Sequence, residues 1–141
     1  MAALARSRAT LRLIGDDLQP VEITALLGAP PTSAHVRGDR NEGRPAPAVW
    51  RTGSWRLSAD DAEPGDPAGQ ITQILDQLTR DLATWQSLGA RYRIDLFCGW
   101  FMDEANEGVI LPPATLRALG ERGIGLDLDL YGATDDVEDD A

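Results

Sequence analysis

The sequence predicts an α+β fold: a two-layer sandwich with a mostly antiparallel sheet and helices on one face, ferredoxin-like with two β-α units. Three observations carry that expectation. A strand-then-helix unit occurs twice, over residues 10–28 and 92–120, each with an extended apolar stretch, a proline that opens a short helix and a Leu-Gly that closes it. Paired β-α units usually share one sheet. The first and last extended segments alternate apolar and polar residues, as strands do when one face of a sheet is packed and the other is wet. Between them, residues 71–88 repeat their apolar positions at the helical period.

In the first segment Leu11 and Leu13 share one side, with Thr10, Arg12 and Ile14 on the other, which predicts a strand over 9–14. Pro20 suits the first turn of a helix, where its missing N–H costs nothing. Leu18 and Ile23 stand at the two ends of a hydrophobic staple, Glu22 stands where a capping-box acid would, and Gly28 supplies the left-handed stop. Pro30 and Pro31 prevent the helix from resuming, and a brief strand fits 33–37. Turn-formers and charge make 38–48 a loop, followed by a strand over 49–57 and a second loop over 59–69.

Ile71, Ile74, Leu75, Leu78, Leu82, Trp85 and Leu88 build one stripe, so a single long helix is expected over 71–88. Asp66 and Pro67 offer its N-cap and first position, although Gly69 weakens that turn. Asp76 and Arg80 form an i,i+4 pair on its wet face. The strand over 91–102 sets Tyr92, Ile94, Leu96, Cys98, Trp100 and Met102 on one face and Arg93, Asp95, Phe97 and Phe101 on the other. A turn at 106–108 leads to a short return strand over 109–111, and Pro113 opens a helix through Leu116 and Leu119. A last strand sets Ile124, Leu126, Leu128 and Leu130 against Gly125, Asp127, Asp129 and Tyr131. Residues 1–132 are expected to form one domain, and 133–141 an acidic, disordered tail.

At 141 residues, 43% hydrophobic and 26% charged, the chain has the composition of an ordinary globular domain. No apolar run approaches the roughly 20 residues that span a bilayer, and the start does not read as a secretory signal. A single cysteine, Cys98, cannot close an internal disulfide, so the cytoplasm is the expected compartment. Lysine is absent, which excludes a Schiff base and a P-loop. The net charge is −10, and the tail holds five of the 23 acidic residues against 13 basic ones in all, leaving −5 elsewhere. Acidity of body and tail argues against duplex nucleic acid as a partner. Residues 37–56 reverse the sign, with five arginines against Asp39 and Glu42.

These pieces resemble a bacterial family catalogued as domain of unknown function 4279. The matching residues are Pro-Val-Glu-Ile at 20–23, Leu27-Gly28, Pro31-Thr32, Gly-Ser-Trp-Arg-Leu at 53–57 and the amphipathic stretch 71–88. Leu-Arg-Ala-Leu-Gly at 116–120 and Leu-Asp-Leu-Tyr at 128–131 complete the set, within residues 9–131. The resemblance implies a small α+β domain and brings no activity or catalytic residue with it.

Candidate chemistry is sparse. His35 is the only histidine and has no Glu or Cys at ligand spacing, and Cys98 reads as a buried thiol. Asp127 and Asp129 project from one strand face and could meet Asp95 around a hard cation, but Arg12 and Arg93 offset them across the strands, so no metal and no cofactor are assigned. The reading that follows is a non-catalytic interaction module that masks a partner in the manner of an immunity or antitoxin protein. Its contacts with a basic protein would be Asp95, Asp127, Asp129, Arg12 and Arg93, and its own state monomer or homodimer. The alternative is a small-ligand or anion-binding domain using His35, Arg37, Trp50 and Arg51 in segment 37–56.

Overall fold

A computed structural model describes residues 4–133. In chain order these form β1 (Arg6–Gly15), α1 (Pro20–Leu27), β2 (Ser33–His35), β3 (Gly53–Ser58), α2 (Pro67–Leu75), α3 (Leu82–Arg91), β4 (Arg93–Phe101), α4 (Pro113–Glu121) and β5 (Gly125–Tyr131). The class is α+β. The strands make one mixed sheet in the order β2-β3-β1-β4-β5. β1 runs antiparallel to β3 and β4, β2 antiparallel to β3, and β5 parallel to β4. The two strand-helix units differ in what they reach. From β1 the chain passes through α1 to β2, which lies beyond β3; from β4 it passes through α4 to the adjacent β5. A helical crossover is what lets β5 lie parallel to β4.

Leu11 and Leu13, Trp55 and Leu57, and Ile94, Leu96 and Cys98 supply the sheet side of the core, closed by Ile23, Leu27, Ile71, Ile74, Trp85, Leu88 and Leu119 from all four helices. Each such side chain contributes about 1.5–3 kcal/mol. Both core tryptophans keep a partner for the ring N–H: Trp55 Nε1 donates to Thr24 Oγ1 at 3.1 Å, and Trp85 Nε1 to the Thr79 carbonyl at 2.9 Å. Among the described residues the opposite sheet face carries no helix, and apart from the buried Ser54 its side chains are half-buried or exposed.

Four sequence expectations are corrected. The single helix over 71–88 is two helices, because the backbone turns away after Leu75 and restarts at Leu82. The Thr79 N–H donates to the Leu27 carbonyl at 2.8 Å, and Asp81 caps α3 through the Ala83 N–H at 3.1 Å. The stripe survives because both pieces pack on the same sheet. Glu22 forms no capping box: its carboxylate meets Arg91 at 3.0 Å, and the N-cap Gln19 makes no side-chain bond. The strand expected over 49–57 begins at Gly53, where a Cβ would stand 2.8 Å from the Leu18 carbonyl; Val49 instead bridges Arg40 within its own loop. No strand forms over 109–111, where Leu111 packs on the core from irregular chain. The tail residues beyond Ala133 lie outside the described residues. Among the described residues, no helix is long and apolar enough to cross a membrane.

Candidate functional site

Strand register lays the helix-free face out as rows of side chains. Ser33, Arg56, Arg12 and Asp95 form one row; Ser58, Thr10, Phe97 and Asp127 the next; then Arg8, Gly99 and Asp129; then Arg6, Phe101 and Tyr131. Asp95, Asp127, Asp129, Arg12 and Arg93 all lie on this face.

Arg12 decides their state. Its Nε and Nη2 grip both Asp95 oxygens at 2.7 and 2.8 Å, and Nη2 also reaches Asp127 at 3.2 Å. The Arg12 and Asp95 side chains are only 15% and 13% exposed, a two-pronged pair largely out of water. The hydrogen bond to Asp95 raises the Arg12 pKa further above its ordinary value. The guanidinium also lies 4.7 Å from the centre of the Phe97 ring. Arg93 stands at the margin, 4.0 Å from Asp95 and mostly exposed. Asp129 accepts a hydrogen bond from the Tyr131 hydroxyl, and Tyr131 stacks on Phe101 with ring centres 4.6 Å apart. Asp95 is therefore committed internally, and Asp127, 55% exposed, is the carboxylate of this set most available to a partner. Among the described residues, no three His, Cys, Asp or Glu side chains gather closely enough to hold a metal ion.

The sequence reading did not single out Arg56. It faces Arg12 directly across β1 and β3, and its Nε donates to Ser54 Oγ at 3.1 Å. No carboxylate lies within ion-pair distance of it among the described residues. Burial, then the charge of Arg12, pulls the Arg56 pKa down. The alternation of β3 carried the signal, since Arg56 sits between the core residues Trp55 and Leu57 and so must point the other way. Beside it a depression of about 240 Å³ is lined by Arg56, Thr10, Ser58, Phe97, Gly99 and Phe101, among others.

The alternative set divides. His35 and Trp50 stack nearly parallel, ring centres 3.8 Å apart, and line a groove of about 470 Å³ with Ser33 and Arg56. Arg37 turns away toward Asp16 at 3.9 Å, and Arg51 lies along a separate groove past Trp50. Arg40 Nη1 donates to the carbonyls of Asn41, Arg44 and Ala48, so it holds its own loop together. Burial, followed by the charge of Arg56, lowers the His35 pKa and favours the neutral imidazole. Cys98 is fully buried, and loss of hydration pushes its thiol up to about 11. A thiol in that state is no nucleophile at neutral pH.

A sheet covered by helices on one side and bare on the other, with an ion-paired arginine cluster on the bare side, defines a small one-sided α+β domain. The family model for a domain of unknown function (DUF4279) matches residues 5–133, and the chain belongs to that family. No curated protein and no solved structure matches it.

Proposed function

We propose that the chain is a non-catalytic protein-interaction module that receives a basic, extended segment of its partner along the edge of β5 that faces away from β4. The carrying observation is the chemistry of that edge. β5 pairs only with β4 among the described residues, and it presents seven residues without proline or bulge. The opposite edge, β2, has three residues, and a short edge is itself protection against unwanted pairing. Leu126, Leu128 and Leu130 are 37%, 40% and 54% exposed on the helix side of β5, and Asp127 and Asp129 alternate with them on the bare side. An added strand alternating apolar and basic residues would satisfy the backbone, cover the leucines and pair the aspartates, in the manner of β-augmentation. The net charge of −10 would speed encounter with such a partner.

A second copy fits less well. In registers that overlap most of two antiparallel β5 strands, Asp127 meets Asp129 or itself, and like charges placed opposite are destabilising. The aspartates thus act against self-pairing while admitting a basic strand, which favours a monomer. Masking of a basic partner, as an immunity or antitoxin protein does, is the biological form of this reading. The order of β4, β1, β3 and β2, with α1 and α2–α3 as connections, also supports a ferredoxin-like core to which α4 and β5 are appended.

The test is a short peptide alternating leucine and arginine, with a leucine–glutamate peptide as control. Saturable binding of the arginine peptide, slower amide exchange in β5, and weakening by Asp127→Asn with Asp129→Asn are expected. Equal binding of the glutamate peptide, or an unchanged affinity of the double variant, would overturn the reading.

A further inference from the structure

The geometry points to a second site, on the bare sheet face rather than along the outer edge of β5: the depression over Gly99 binds a small organic anion with an apolar body. Its carboxylate or phosphate would rest on Arg56 and its body against Phe97 and Phe101.

Charge is the first argument. Two guanidinium groups opposite each other on adjacent strands repel unless each is neutralised. Arg12 is neutralised by Asp95 and Asp127, whereas Arg56 meets only the Ser54 hydroxyl, through Nε. Both terminal nitrogens of Arg56 are left without an acceptor among the described residues, the planar fork that matches a carboxylate or phosphate. Arg8, at the same rim, is balanced by Asp61 at 3.3 Å, so the charge left over in the lining is that of Arg56.

Shape is the second argument. The dip exists because position 99 has no side chain, between Phe97 and Phe101 along β4 and facing Arg8 across β1. Nothing in the chain demands glycine there. Its φ is not in the left-handed region, and an added Cβ would come no nearer than 3.5 Å to Phe101, an ordinary contact. What the glycine supplies is room. Thr10 and Ser58, whose hydroxyls already bond each other at 2.9 Å, line the polar end, and the aromatic rings line the other. At about 240 Å³ the space suits one ring or a short chain, below the 300–1,000 Å³ of drug-sized sites.

The probe is 3-phenylpropionate, titrated by calorimetry and by NMR shifts, beside its neutral alcohol 3-phenylpropanol and inorganic phosphate. Saturable binding of the acid is expected, with shifts centred on Phe97, Gly99 and Phe101. Arg56→Gln should weaken it about tenfold or more, as loss of a charge-assisted pair does. Gly99→Val should abolish it by filling the dip. Because Arg56 is unpaired, Arg56→Gln should melt no lower than the parent, which separates lost binding from lost folding. No saturation at about 10 mM acid, equal affinity for the alcohol or for inorganic phosphate, or undiminished binding by Arg56→Gln would each overturn the site.

Discussion

Two arginines facing each other across β1 and β3 show how far context outweighs residue type. Arg12 is gripped by Asp95 and touched by Asp127, while Arg56 has a serine. Removing the carboxylate from the first should leave a half-buried guanidinium short of acceptors. Asp95→Asn is therefore expected to cost about 1–3 kcal/mol in urea unfolding, and a loss below about 0.5 kcal/mol would show the pair to be ordinary surface decoration. His35 gives the pH test. Its folded pKa is lowered by burial and by Arg56, so the unfolded chain binds the proton more readily. The stability this represents is present above the ordinary histidine value of about 6.5 and is lost as pH falls through that value toward the folded pKa. NMR titration of the chain's single histidine should give a midpoint below 6.5, the ordinary value, and His35→Gln should flatten stability across that window; a midpoint at or above the ordinary value would contradict it. Residue roles were legible where the local pattern decides them: Cys98 lies among apolar residues in sequence and in space, and Trp55 alternates with Leu57 on the buried side of β3. They were not legible for Arg56, whose character depends on what β1 sets opposite it.

At the level of elements, hydrophobic period gave the correct faces and a wrong length. Residues 71–88 carry one stripe because α2 and α3 bury their apolar residues against the same sheet, so the break between them leaves the pattern unchanged. The signal of the break was Asp81, whose carboxylate takes the Ala83 N–H at 3.1 Å and the Thr84 hydroxyl at 3.0 Å. Asp81→Ala should then destabilise the protein by about 1 kcal/mol, as loss of an N-cap does, whereas the same change within a continuous exposed helix face would be neutral or favourable. Urea midpoints at constant slope would decide it. Gly69 was readable only as a weak helix former. In the fold a Cβ there would stand 2.1 Å from Asp66 Oδ2, so the glycine makes room for the cap that starts α2. The strand expected over 109–111 failed for a different reason: β4 is already flanked by β1 and β5, so no place is left beside β4 for a strand returning from it.

For the whole molecule, the one-sided sheet was legible because alternation in β1 and β5 demands a wet face, and the helices do leave that face bare. Strand order was not legible, since the similar β1–α1 and β4–α4 units end in different places. That order sets a gradient of stability. β1 and β4 lie inside the sheet with ladders on both sides, whereas β5 has one ladder among the described residues and leucines more than a third exposed. Local opening follows buried area and ladder support, so amide exchange should be slowest in β1 and β4 and faster in β5. The arginine–leucine peptide should slow β5 specifically, and about 0.5 M salt should undo much of that effect, because exposed charges are screened beyond a Debye length of a few ångströms there. Binding of 3-phenylpropionate should act mainly on the β4 amides around Gly99 and reach β5 only near Tyr131, which lines the depression. A free protein whose β5 exchanges as slowly as β4 would mean that the edge is already covered, by a second copy or otherwise, and that the leucines and aspartates of β5 answer to that contact rather than to a basic strand.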